Sequence, residues 1–229
     1  MKPMNPKLAI VGYGKMGRLI EQLAPEYGFT VHARLDVNDD LRQAAGADVA
    51  VEFTLPSAVA ANVEALSALQ IPVVIGTTGW TDQMDRVSAA VERHGTGLVW
   101  SPNFSIGVNV FFRVVREAAR LLESEPQYGA WAWEIHHHTK KDAPSGTLLK
   151  LVSEMKAAGY SHPIDTSANR AGAHPGTHEI GFDSAADTIT LRHSARSREG
   201  FARGALKAAQ WLPGKRGVFK FEDVLFNKG

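Results

Sequence analysis

The chain of 229 residues contains no cysteine. That absence excludes disulfides, thiolate metal sites and a thiol nucleophile, and it fits a reducing compartment. A surplus of one charge sign is missing too: 25 Lys and Arg face 24 Asp and Glu, for a net charge of +1. Nothing in that balance points to nucleic acid or an acidic membrane as a partner. No apolar run approaches the roughly 20 residues of a membrane span. The opening M-K-P-M-N-P-K holds no apolar stretch of signal-peptide length ahead of Leu8. The expected location is therefore the cytoplasm. Internal repeats and low-complexity segments are also lacking, and the length suffices for one large domain or two small ones.

What is present begins with Lys7–Val11, an apolar run of the right length for a buried parallel strand. It leads into Gly12-Tyr13-Gly14-Lys15-Met16-Gly17 and then into helical spacing. A G-x-G-x-x-G alone is a weak signal, and a glycine-rich turn would explain it. Here a strand precedes it, a helix follows, and Asp36 closes a second strand candidate, Thr30–Leu35, about 20 residues further on, as in dinucleotide-binding units. Gly12 would permit the tight turn, Gly14 the approach of a pyrophosphate, and Gly17 close helix packing. Asp36 would accept hydrogen bonds from ribose hydroxyls and repel a 2′-phosphate, which favours NADH. Lys15 and Arg34 are nearby cations that could offset this, so use of NADPH as well is expected.

Strand and helix patterns then alternate: strands at 48–53, 72–75 and 97–100, helices at 57–69, with Ser57 as a candidate cap, and at 82–94. Such alternation predicts a Rossmann-like, doubly wound parallel sheet, with ligands outside the carboxyl ends of its strands. Phe53 and Thr54, then Gly76, Thr77 and Thr78, then Ser101, Pro102, Asn103 and Phe104 fall at those ends and are candidate cofactor contacts. Turn chemistry alone would also place such residues there. From residue 105 the pattern changes to a long amphipathic helix (108–122), a strand (131–136), a helix (146–158), a polar stretch (169–178) and two strands (179–182 and 188–193). This reads as a second, α+β domain with an antiparallel or mixed sheet. A helix at 201–212 and residues 218–225 would return to the first domain. The expected division is 1–104, completed by 199–229, and 105–198.

The densest chemistry lies in E-I-H-H-H-T-K-K-D-A-P-S-G-T, residues 134–147. It reads as strand, short polar loop and helix N-terminus. Lysines and exposed helix N–H groups both favour anions, and histidines move protons near neutral pH. An anion grip beside a proton donor suggests an active site for a small acidic substrate. If 134–138 is extended, Glu134, His136 and His138 share one face and His137 points opposite. The loop must then turn to bring His136 and His137 together. His136 and His138 also resemble a strand-borne zinc pair, but without CxxC or HExxH spacing no metal is expected.

This fourteen-residue stretch closely resembles the signature E-x-H-H-x-x-K-x-D-A-P-S-G-T of the 4-hydroxy-tetrahydrodipicolinate reductase (dihydrodipicolinate reductase) family. Further blocks resemble it in the same order: G-Y-G-K-M-G-R, V-I-G-T-T-G at 74–79, P-N-F-S-I-G-V-N at 102–109, and Ser197-Arg198 through Trp211-Leu212. The resemblance spans the whole chain. It implies an NAD(P)H-dependent oxidoreductase of the diaminopimelate route to lysine. Hydride would be added to a cyclic imine dicarboxylate, with His136 as general acid and His137, Lys140, Gly146 and Thr147 holding the substrate. Lys140 would also belong to the catalytic set. A homotetramer assembled through the second, substrate-binding and oligomerisation domain is implied as well. The chain departs from many members in a glycine loop one residue shorter, a shorter segment before the last strands, and Val37 where some place Arg after the ribose acid. Two other functions fit the glycine turn but not the signature: a dehydrogenase for amino or keto acids, and a non-catalytic dinucleotide sensor.

Overall fold

The structure, a computed structural model, describes residues 5–227. Residues 1–4 of the opening heptapeptide and the last two residues of the expected terminal segment lie outside it. In chain order the elements are β1 (Lys7–Val11), α1 (Lys15–Leu23), β2 (Thr30–Leu35), β3 (Val49–Glu52), α2 (Val59–Ala68), β4 (Val73–Ile75), α3 (Met84–His94) and β5 (Gly97–Trp100). There follow α4 (Ile106–Leu122), β6 (Gly129–His136), α5 (Gly146–Ala157), β7 (Ile164–Arg170), β8 (Thr177–Asp183), β9 (Thr188–Ser194), α6 (Glu199–Trp211), β10 (Gly217–Lys220) and α7 (Phe221–Phe226). Contacts divide the chain into two units, Met1–Ile106 with Glu199–Gly229, and Gly107–Arg198. No helix among the described residues is long and apolar enough to cross a membrane.

The first unit is a six-stranded sheet in the order β10-β5-β4-β3-β1-β2, every pairing parallel. Its four inner strands, β1, β3, β4 and β5, are buried on both faces, as cover by two helix layers requires. Leu8, Ile10, Val49, Val51, Val74 and Val99 pack with α1, α6 and α7. Ala9, Val11, Ala50, Val73, Ile75 and Leu98 pack with α2 and α3 on the other side. Strand order reverses at β1, between β2 and β3, so the crevice at the carboxyl ends of β1 and β3 is the topological switch point.

The second unit is a four-stranded mixed sheet, β7-β6-β8-β9. β6 pairs parallel with β7 and antiparallel with β8. One face is covered by α4 and α5: Phe111, Phe112, Val115, Leu148, Leu151 and Met155 pack on Ala130, Ala132, Ile180 and Phe182. β6 alternates strictly, with Ala130, Ala132, Glu134 and His136 buried and Trp131, Trp133 and Ile135 half-buried on the opposite face.

Two local features differ from the sequence reading. Ser57 caps nothing: a single 3₁₀ turn, Pro56–Ala58, precedes α2, whose N-cap is Ala58 with no side-chain bond. β7 was not expected at all. It is an edge strand, polar in sequence and largely exposed, so it carries little of the apolar alternation that marks a strand.

Candidate active site

The glycine turn lies at the switch point of the first unit. Gly12 has φ +92°, and a Cβ there would sit 2.0 Å from the Phe53 carbonyl oxygen at the end of β3. A Cβ on Gly17 would meet the Gly12 carbonyl oxygen at 2.3 Å. These two glycines are therefore dictated by the protein's own packing. Gly14, the N-cap of α1, is different: a Cβ there would meet nothing within 4 Å. Its bare backbone is explained by a group that approaches the helix N-terminus from outside, which is the requirement of a pyrophosphate. The residues present thus fit a dinucleotide.

Around this turn, Lys15 opens α1 and is exposed, and Met16 packs on the core. The Tyr13 hydroxyl donates to Glu21, whose carboxylate also accepts from Arg34 Nε at 2.6 Å. Arg34 is thereby tied to a neighbouring acid rather than turned toward a ribose. Asp36 is exposed just past β2, its Oδ1 accepting from the Val37 amide at 3.0 Å. The Phe53 ring lies directly over Gly76, where a Cβ would come within 2.0 Å of it. Thr77 Oγ1 accepts from the Thr54 amide at 2.7 Å, and Thr78 is exposed. The turn after β5 is closed by Ser101 Oγ, which donates to the Asn103 carbonyl at 2.8 Å, and Pro102 is exposed. Phe104 turns its ring into the core against Phe221, 4.8 Å between centroids, and its carbonyl packs against Gly204 of α6.

The signature stretch occupies the end of β6, the loop after it and the first turn of α5. β6 ends at His136, and Glu134 and His136 share the buried face as the strand period requires. His137 is half-buried, its Nδ1 within 2.6 Å of Thr139 Oγ1. His138 is exposed and bonded to the Gly172 carbonyl at 2.8 Å, which removes it from His136 and from any shared metal pair. The Lys140 ammonium donates to both oxygens of Asp142, at 2.7 and 3.0 Å. That bond chiefly holds the Asp142 carboxyl below its ordinary range, with the Gly146 amide contributing. Lys140 therefore already holds a carboxylate in the loop that leads into α5. A Cβ at Gly146 would meet nothing within 4 Å.

Sequence reasoning gave no role to Arg170 on β7 or His178 on β8, yet both enter this cluster. The Glu134 carboxylate accepts from the Ser145 amide at 2.8 Å and from Arg170 at 2.8 Å, while the Ser145 hydroxyl closes on its other oxygen. His178 Nε2 lies 3.3 Å from Glu134 Oε2. Burial first, then the neighbouring His136, pushes the His178 pKa down to about 4, so this ring is neutral at pH 7. One ligand atom each of Glu134, His136 and His178 lies within 4.8 Å of the others, a spacing a metal could use. The carboxylate already accepts from Ser145 and Arg170, so the group reads as a hydrogen-bonded ion cluster. No sequence spacing signals these partners, because they arrive from strands more than thirty residues away.

A switch-point glycine turn with a bare helix N-terminus, together with a substrate loop of imidazole, ammonium and helix amides, is the plan of a dinucleotide-dependent oxidoreductase. The chain belongs to the dihydrodipicolinate reductase family. Family models described as dihydrodipicolinate reductase, N-terminus and C-terminus, match residues 6–104 and 107–225. The 4-hydroxy-tetrahydrodipicolinate reductase of Christiangramia forsetii is 35% identical over 232 residues, covering 95% of this chain and 97% of that protein. The enzyme of the same name from Anaeromyxobacter dehalogenans is 40% identical over 215 residues, covering 84% and 78%. The solved dihydrodipicolinate reductase of Paenisporosarcina, with dipicolinate bound, shares the fold at a TM-score of 0.82 and 22% identity over 95% of this chain and 98% of that one.

Proposed function

We propose that the chain reduces 4-hydroxy-tetrahydrodipicolinate to tetrahydrodipicolinate in the diaminopimelate route to lysine, with His136 as general acid. The observation that carries this reading is the Lys140 ammonium bonded to a carboxylate in the loop between the buried His136 and the N-terminus of α5. A bound NAD(P)H supplies the hydride. Gly12, Gly14, Gly17 and the N-terminus of α1 would hold its pyrophosphate and Asp36 its ribose. Tyr13, Lys15, Met16, Phe53, Gly76, Thr77, Thr78 and the turn Ser101, Pro102, Asn103 and Phe104 would line the rest. Lys140, the Gly146 and Thr147 amides and the Thr147 hydroxyl clamp a substrate carboxylate, which takes over from Asp142 as the partner of the Lys140 ammonium. His137 binds the same ligand from the start of the loop. His136 delivers a proton to the ring carbon beside the reduced one.

NADH is the preferred cofactor in this reading and NADPH is also accepted, since Asp36 disfavours a 2′-phosphate and Lys15 is an exposed cation at the start of α1. The protein acts in the cytoplasm as a homotetramer. Trp131, Trp133 and Ile135 form an apolar stripe on the sheet face opposite α4 and α5, which suits burial against another copy.

The test is NADH oxidation with freshly made condensation product of pyruvate and aspartate semialdehyde. Turnover is expected, and His136→Gln should lower kcat about 10²–10⁴-fold with a smaller effect on KM. Saturable NADH binding without turnover on this substrate would overturn the function. An unchanged kcat in the variant would remove His136 from the mechanism.

A further inference from the structure

The signature begins with Glu134 and carries Ser145, and the mechanism proposed above uses neither. The structure shows where both go. Glu134 is fully buried at the end of β6, one strand period before His136. Burial alone would raise its pKa, but hydrogen bonds from Ser145 and the Arg170 guanidinium outweigh this and hold it as a carboxylate below its ordinary range. Ser145 does this while its hydroxyl also caps α5 by accepting from the Leu148 amide at 3.2 Å. The carboxylate is therefore fixed to the loop, to β7 and to the helix at once.

His136 is 8% exposed, and its Nδ1 is buried without a hydrogen-bond partner. Glu134 Oε2 faces that nitrogen at 3.6 Å. The distance is too long for a hydrogen bond at rest, but catalytic bonds of this kind are often long without ligand and tighten when the substrate binds. The other ring nitrogen has a different environment. Gly176, at φ +134°, stands beside it, and a Cβ there would lie 2.9 Å from His136 Nε2. One nitrogen thus faces a fixed carboxylate, and the other is left uncovered by a residue with no side chain.

Resting on the reading of His136 as the acid, we propose that Glu134 is a positioning residue for proton delivery. Its carboxylate holds a proton on His136 Nδ1, so that Nε2 is the nitrogen that gives its proton to substrate. In the step itself the Nε2–H bond breaks and its electron pair stays on nitrogen. The enamine pair left after hydride addition forms the new C–H bond. The imidazole ends neutral with its proton on Nδ1, facing Glu134, and regains the Nε2 proton from solvent.

The charges around the ring make such a carboxylate necessary. Burial lowers the proton affinity of His136, and Lys140 of the loop and Arg170 of β7 lower it further. Glu134 of β6 and, more weakly, Asp142 of the loop oppose them. His178 of β8, its ring centroid 5.0 Å away, is itself neutral at pH 7, with His193 of β9 behind it. Glu134 is the main counterweight that keeps an acid there.

Two measurements test this. In the wild-type protein with 15N-labelled histidine, His136 resonances assigned by their loss in His136→Gln should show the neutral ring protonated on Nδ1. A neutral ring protonated on Nε2 overturns the proposal, whatever the protein's activity. In Glu134→Gln, the pH at which kcat falls as His136 loses its proton should move down by at least one pH unit. Activity at pH 7 should drop about ten-fold or more and recover partly on acidification. Glu134→Asp should restore the wild-type limb. A limb that stays in place, with activity either unchanged or reduced evenly at every pH, overturns it. The NMR result needs no turnover, so failure here is separable from failure of the reductase assay.

Discussion

Two side chains let the division of labour be tested one residue at a time. Lys140 makes charge-assisted bonds in the substrate loop and has no counterpart role at the glycine turn. Lys140→Ala should raise KM for substrate and the inhibition constants of dicarboxylates about 10–100-fold, the worth of one or two such bonds. The dissociation constant for NADH, measured by fluorescence titration, should stay within two-fold or so. Equal losses for both ligands would contradict the assignment. Lys15 is the matching test for cofactor choice. With Arg34 engaged by Glu21, Lys15 is the cation proposed for a 2′-phosphate. Lys15→Ala should lower kcat/KM with NADPH selectively, and kcat/KM at fixed ionic strength should favour NADH in the parent. The placement of both lysines, one at the start of α1 and one in the loop before α5, was legible in the sequence because glycine turns and helix N-termini have local spacing. Arg170 and His178 were not, because a buried ion cluster is assembled by strand register: Glu134 pairs with His178 across β8 and stands one strand from Arg170 on β7.

At the level of elements, α5 depends on Ser145 twice. Its hydroxyl caps the helix and bonds Glu134, and its amide donates to the same carboxylate. Ser145→Ala should cost about 1–3 kcal/mol, from the lost cap and a buried acceptor left short of a donor. Urea unfolding read at constant m-value checks this, and an effect within a few tenths of a kcal/mol would mean the cap is dispensable. The helices and buried strands were readable because their apolar residues recur with the period of the element. β7 was not. It lies at the sheet edge, pairs with β6 alone, and reads I-D-T-S-A-N-R, where partner register rather than apolar alternation makes the strand. The supposed Ser57 cap failed for a related reason: Pro56 begins a 3₁₀ turn that delays α2 by two residues.

At the scale of the whole molecule, the outer face of the second sheet bears on assembly. Trp131 lies flat over Gly181, where a Cβ would fall 2.1 Å from its ring, and Trp133 Nε1 donates to Asn169 at 2.6 Å. The two indoles are thus held on the outer sheet face. If that face joins copies of the chain, light scattering should give a tetramer, and Trp133→Glu should shift it to smaller species without loss of the far-UV circular dichroism signal. A monomeric parent would refute the proposal. The two-unit plan was legible from the switch between alternating and non-alternating patterns, and the chain returns to the first unit after residue 198. The pairing of β10 with β5 was not legible, since four residues at a sheet edge carry no such signal.

That return has a consequence for how the protein is made. Five strands of the first sheet leave the ribosome early, but α6, which covers Leu8, Ile10, Val49 and Val51 together with α1, emerges only after the entire second unit. Residues 107–198 are continuous and can fold while translation proceeds. The earlier-made sheet meanwhile keeps part of an apolar face bare until some of the last codons are read. Nascent chains stalled near residue 198 should therefore be the species most in need of a chaperone, and premature stop codons there the most damaging to solubility.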